Sequence, residues 1–131
     1  MRYALCGPLW AADFTINRAR DSNLPDMVPR TALAFGAAEA SKNFTIDGRA
    51  FTHTLVVELP NWTNDSTATL SISDPNGKVL YSIAGLTENT GTSPHILLVA
   101  RPVVSTTTIT LTLSGVPGGA GGTAYVTIYL Q

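Results

Sequence analysis

Alternating apolar and polar positions dominate the chain from residue 51 onward, and a period of two marks half-buried strands. The clearest case is 106–114, where Ile109, Leu111 and Leu113 share one face and Thr108, Thr110 and Thr112 the other. Residues 123–130 repeat it, with Ala124, Val126, Ile128 and Leu130 opposing Thr123, Tyr125, Thr127 and Tyr129. Residues 66–73 set Ala68, Leu70 and Ile72 on one side. Asp74-Pro75-Asn76-Gly77 then reads as a tight turn: proline presets the first turn dihedral, and glycine accepts the left-handed position. Residues 78–84 return as the hairpin partner. The runs 51–59 and 95–101, the second stopped by Pro102, complete six predicted strands.

Turn signals recur at about 8–12 residues, the spacing of a β-sandwich or small barrel. No long amphipathic helical stretch intervenes, which argues against alternating strands and helices. One or two further strands are expected near 14–16 and 43–46. The expected fold is therefore all-β: an antiparallel β-sandwich, jelly-roll or Ig-like, of about 6–8 strands.

The first third reads differently. Residues 18–30 contain Pro25, Pro29 and the polar run Arg20-Asp21-Ser22-Asn23, and each proline biases its predecessor away from the helical region. Residues 31–40 fit a short helix opened by Thr31 or an extended segment; Gly36 weighs against the helix. The expected division is an extended N-terminal arm, 1–42, and a sandwich domain, 43–131. The arm still carries apolar side chains, among them Tyr3, Leu5, Leu9, Trp10, Phe14, Leu33 and Phe35. The larger ones gain roughly 1.5–3 kcal/mol each on burial. They either wrap the sandwich as its first strands or bury against another chain.

With 131 residues the chain holds one domain and at most an arm. Charged residues make up 13% against a usual share of about 25%, so Thr, Ser and Asn must supply the polar surface. A net charge of −1 creates no field for nucleic acid or an anionic membrane. Cys6 is the single cysteine, which leaves no disulfide within the chain. Residues 3–12 follow Arg2 and are apolar, but Gly7-Pro8 interrupts them, and a cleaved leader is not expected. No apolar run approaches the roughly 20 residues of a spanning helix.

Candidate chemistry is thin. His53 and His95 lie in strand patterns, with no Gly-x-Ser-x-Gly elbow to supply a nucleophile. Glu58 is the most interesting carboxylate, because Trp62 follows it and an indole can stack on a sugar; a loop anchored by a core tryptophan explains the same residues. One Cys and two distant His do not make a soft-metal site. Asp74-Pro75-Asn76-Gly77 lacks the spacing of a calcium loop. The run Gly115–Thr123 resembles a phosphate loop only in glycine content: Gly122 stands where a lysine is needed, and a strand follows where a helix is needed. A flexible hairpin loop is the expectation there. Sequons at Asn43, Asn61 and Asn64 matter only in a glycosylating pathway. The Thr-x-Thr face of 106–112 has the chemistry of an ordered surface-binding ladder, as in ice-binding proteins, but a single strand is too little for one, and threonine is simply what a solvent-facing strand uses. No catalytic set, cofactor or metal is expected.

Five segments carry a resemblance: Glu58-Leu-Pro-Asn-Trp-Thr-Asn, Ser71-Ile-Ser-Asp-Pro-Asn-Gly, Ala84-Gly-Leu-Thr-Glu-Asn, Ala100-Arg-Pro-Val-Val and Leu113-Ser-Gly-Val-Pro-Gly-Gly, before the ending Val-Thr-Ile-Tyr-Leu. Over roughly residues 50–131 the chain resembles small virion proteins of tailed bacteriophages, grouped with head-decoration (cement) proteins. The resemblance implies a β-sandwich that oligomerises on the capsid, contacts the major capsid protein and copies of itself, and grips neighbours with a terminal arm. It implies a capsid-surface location after synthesis in the host cytoplasm. On this reading Trp10, Phe14 and Phe35 bury apolar surface between subunits, and Arg18, Arg20 and Arg30 pair with acidic groups there. The alternatives are a tail or baseplate component, and a carbohydrate-binding or adhesive module with Trp62 as its glycan contact.

Overall fold

In the computed structural model the described residues are 13–15, 26–90, 93–104 and 106–131, and among them no helix forms. The strands are β1 (Asp13–Thr15), β2 (Asp26–Phe35), β3 (Ser41–Asp47), β4 (Ala50–Glu58), β5 (Ala68–Ser73), β6 (Val79–Leu86), β7 (His95–Leu98), β8 (Pro102–Val103), β9 (Thr107–Leu113) and β10 (Gly122–Leu130). One sheet runs β1-β3-β9-β5-β6 and the other β2-β10-β4-β7, with β8 also pairing β4. Every pairing is antiparallel except the short parallel contact of β1 with β3. The all-β sandwich expected from the sequence is the fold observed.

The alternation read along the chain becomes the core. Ala68, Leu70 and Ile72 of β5, Ile109, Leu111 and Leu113 of β9, and Ala124, Val126, Ile128 and Leu130 of β10 are all buried. They meet Phe44 and Ile46 from β3 and Leu55 and Val57 from β4 in one cluster between the sheets. Few buried polar groups interrupt it, and the hydroxyls of Thr52 and Thr107 are each bonded to backbone. The Thr52 hydroxyl donates to the Val99 carbonyl and accepts from the Arg101 amide at 2.9 Å. The Thr107 hydroxyl donates to the Val104 carbonyl at 2.8 Å and accepts its amide at 2.9 Å. Such bonding offsets the desolvation that burial imposes on a hydroxyl.

The β5–β6 hairpin forms at the expected turn. The Gly77 amide donates to the Asp74 carbonyl at 2.9 Å, and Asp74 Oδ1 accepts the amides of Asn76 and Lys78 at 2.9 and 2.8 Å. Gly77 adopts φ +82°, the region that a side chain resists.

Three expectations change. The boundary at residue 42 does not coincide with the sheets, since β2 pairs along β10 and β3 begins at Ser41. Residues 31–35 take the extended alternative, and Phe35, expected to bury against a partner, belongs with Val28 and Leu33 to the chain's own core. Pro29 is tolerated inside β2 because the register slips there. Val126 faces Thr31 while Ile128 faces Val28, so Pro29 and Arg30 together oppose Thr127 in a bulge, on a strand at the sheet edge. The remainder of the expected arm, 1–12 and 16–25, lies outside the described residues.

The third change is the glycine-rich segment. β9 and β10 belong to different sheets, so 114–121 is a crossover and not a hairpin loop. It packs on the 60–66 loop: the Asn64 amide donates to the Pro117 carbonyl at 2.8 Å. Gly121, at φ +75°, lies against the Phe35 carbonyl, where a Cβ would collide.

Candidate functional site

The two outer faces of the sandwich differ in chemistry. On the β3-β9-β5-β6 sheet the outward residues fall into mostly polar rows set by register: Ser41–Thr112–Thr69, Asn43–Thr110–Ser71–Ser82 and Thr45–Thr108–Ser73, the last ending at exposed Val79 on the edge strand β6. The threonine face read from β9 thus extends over neighbouring strands as hydroxyl and amide groups, the ordinary coat of a solvated sheet.

The outer face of β2-β10-β4-β7 is apolar along most of its width. One row runs Met27–Tyr129–Thr54–Leu98 and the next Thr127–Val56–Ile96. Leu98 is 79% exposed and Ile96 64%, the two most exposed large hydrophobics among the described residues. His53, Thr54, Val56, Ile96 and Tyr129 line a shallow depression between β4, β7 and β10. An uncharged apolar band of this kind on a sheet surface is the usual mark of a contact site.

The band ends at a polar clasp. Arg30, aimed outward by the β2 bulge, lies over the Tyr125 ring, 3.5 Å from guanidinium carbon to ring centroid. Its Nε and Nη2 donate to both carboxylate oxygens of Glu58 at 3.0 Å each. The hydrogen bond to Glu58 is the main reason the Arg30 pKa is raised, with Tyr125 adding to it. The stacked, two-pronged geometry is one that arginine makes and lysine does not.

Placement of the sequence-predicted residues follows from this. Trp10, Arg18 and Arg20 lie outside the described residues, and Phe14 is placed only by its backbone pairing with Ile46. Phe35 is 3% exposed and offers no surface to a partner; its place on β2 turns it inward. Arg30 is satisfied by Glu58 and Tyr125 of its own chain. Trp62 is 2% exposed and meets Phe35 edge to face at 5.4 Å, so no ring face is left for a sugar. The loop-anchor reading of Trp62 is the one that holds. His53 and His95 are each engaged locally, with the Thr54 hydroxyl at 2.7 Å and the Thr87 carbonyl at 2.9 Å. Among the described residues no three metal-capable side chains gather. No helix there is long and apolar enough to cross a membrane.

The sequence reading missed the apolar band. The alternation puts Tyr125, Thr127 and Tyr129 on the outward side of β10, but only the strand order sets Val56, Ile96 and Leu98 beside them.

No protein-family model matches the sequence, and no curated protein matches it significantly. Among solved structures, the chain is similar to part of a β-glucosidase from Paenibacillus barengoltzii, with a TM-score of 0.35 and 10% identity over 91% of this chain and 11% of that one. It is also similar to part of dimeric latent PorU from Porphyromonas gingivalis, with a TM-score of 0.25 and 12% identity over 80% of this chain and 10% of that one. The chain spans about a tenth of either protein, and neither likeness carries an argument about function.

Proposed function

We propose that this chain is a non-enzymatic structural protein of a virion, a capsid decoration protein that docks through the outer face of β2, β10, β4 and β7. Its partners on this reading are the major capsid protein and further copies of itself. The contrast between the two outer faces carries the proposal. One is coated with hydroxyl groups apart from Val79 at its edge, and the other leaves Ile96 and Leu98 in water beside Val56, Tyr129 and Met27. Leaving such side chains exposed forgoes roughly 1.5–3 kcal/mol each, which a partner surface recovers. The resemblance of residues 50–131 to phage head-decoration proteins supplies the kind of partner.

The test uses particles of the phage that encodes the chain, prepared without it. Purified protein is expected to cosediment with the heads and raise their resistance to heating. Met27→Lys and Tyr129→Lys, both on the exposed face, are expected to weaken that binding while leaving circular dichroism unchanged. Binding to tails or baseplates instead of heads overturns the capsid assignment, and association with no particle overturns the reading as a whole.

A further inference from the structure

Resting on that reading of the apolar face, we infer that the partner at its β7 end is a second copy of this chain, paired β7 to β7 in antiparallel fashion about a twofold axis. β7 is the edge of its sheet, and among the described residues it pairs with β4 alone. A free edge presents unpaired amides and carbonyls and is a template for another strand unless something blocks it.

The other sheet edges are blocked or broken. β2 carries Pro29, Arg30 and the bulge opposite Thr127. β6 is irregular, with register shifts at Ala68/Leu70 and Ile72/Ser73 and with Gly85 at φ +76°. β1 spans three residues. β7 has none of these interruptions. Its register with β4 runs unshifted from Thr54↔Leu98 to Val57↔His95, and its sequence His-Ile-Leu-Leu contains no proline, lysine or acid.

The edge is also held in place. The ring of His95 bonds the Thr87 carbonyl at 2.9 Å, just beyond β6, and Arg101 Nε donates to the Leu80 carbonyl of β6 at 3.0 Å. These bonds tie both flanks of β7 to the opposite sheet, so little ordering is left for association to impose.

A twofold axis perpendicular to the sheet keeps both apolar faces on the same side. Centred on Leu97, the pairing sets Ile96 of each copy beside Leu98 of the other. The most exposed aliphatic side chains then form one cluster, continuous with Val56 in each copy. The two bands become a single platform twice as wide, available to a capsid surface. A contact through four-residue strands is of the small, weak class, with a dissociation constant on the order of micromolar.

Sedimentation equilibrium of the full chain tests this without any particle. A monomer–dimer equilibrium in the micromolar range is expected, and Ile96→Lys or Leu98→Lys is expected to weaken it about tenfold or more by setting a charge in the cluster. Both side chains are exposed, so both variants are expected to stay folded. Hydrogen exchange at 95–98 in the unmodified chain is expected to slow as concentration rises. A chain that stays monomeric, a dimer indifferent to both lysines, or β7 amides indifferent to concentration overturns the inference. A monomeric chain that still binds heads sinks the dimer alone; a dimer that binds no particle leaves it standing and removes the virion reading.

Discussion

Phe35 and Trp62 meet edge to face with ring centroids 5.4 Å apart and planes at 77°, and this contact joins the last residue of β2 to the loop after β4. It fixes the role of both aromatics: they close the core at the end of the sandwich where the glycine-rich crossover lies, with Trp62 Cζ3 2.8 Å from where a Cβ on Gly122 would sit. Trp62 Nε1 has no hydrogen-bond partner among the described residues, so the ring works there through shape and area.

Trp62→Ala is therefore expected to cost about 3–5 kcal/mol of stability, the range for removing a large aromatic from a core. Trp62→Phe is expected to cost less, because the indole N–H it deletes is unsatisfied. Urea unfolding monitored by circular dichroism measures both. A variant Trp62→Ala as stable as the parent would contradict the placement of this ring.

The crossover predicts a contrast between two glycines. Gly77 and Gly121 both have positive φ, but Gly77 faces open space and Gly121 faces the Phe35 backbone. Gly77→Ala should lose about 1–2 kcal/mol from backbone conformation alone. Gly121→Ala should lose clearly more, since the Phe35 carbonyl must also move. Equal midpoints in denaturant would refute the close approach.

Truncation separates arm from sheet. Deleting 1–12 leaves every strand of the described residues in the chain, and a cooperative melt is expected to remain. Deleting 1–40 removes β2, with Val28, Leu33 and Phe35, and strips β10 of one neighbour. That shorter chain is expected to unfold or aggregate, which calorimetry and light scattering report.

Glu39 gives a small pH effect of known sign. Its carboxylate accepts the Gly36 amide at 2.6 Å and pairs with Lys42 at 3.0 Å, and these contacts, the amide first, hold its pKa below the usual carboxylate range. A lowered folded pKa stabilises above the unfolded value and loses that contribution as pH falls through the folded one. Thermal melts of wild type and Glu39→Gln should differ slightly at pH 7 and converge in acid. A gap that widens in acid would show the sign to be wrong. The group is exposed, so the effect is small.

Much of the sandwich was legible because alternation is a local signal. β5, β9 and β10 announce both their extent and their inward faces, and the Asp74–Gly77 turn fixes one hairpin. β2 was obscured by prolines whose cost depends on neighbours: at a bulge on an edge strand Pro29 breaks little, and the sequence does not show which strands are edges. Arg30 has the same origin, since its partner Glu58 lies two strands away across β10. Trp62 fits a loop anchor or a sugar platform until its burial is known. The apolar band is a product of strand order, with Leu98, Thr54, Tyr129 and Met27 drawn together from four separate segments.

Each sheet threads one of the last two strands between earlier ones: β9 sits between β3 and β5, and β10 between β2 and β4. While the chain leaves the ribosome, the earlier strands have their greasy sides ready and no central partner to zip against. Neither layer closes until residues 107–130 have been translated, so the domain folds late and nearly all at once. A premature stop within that stretch would leave a sticky, unsealed polypeptide in place of a smaller functional one.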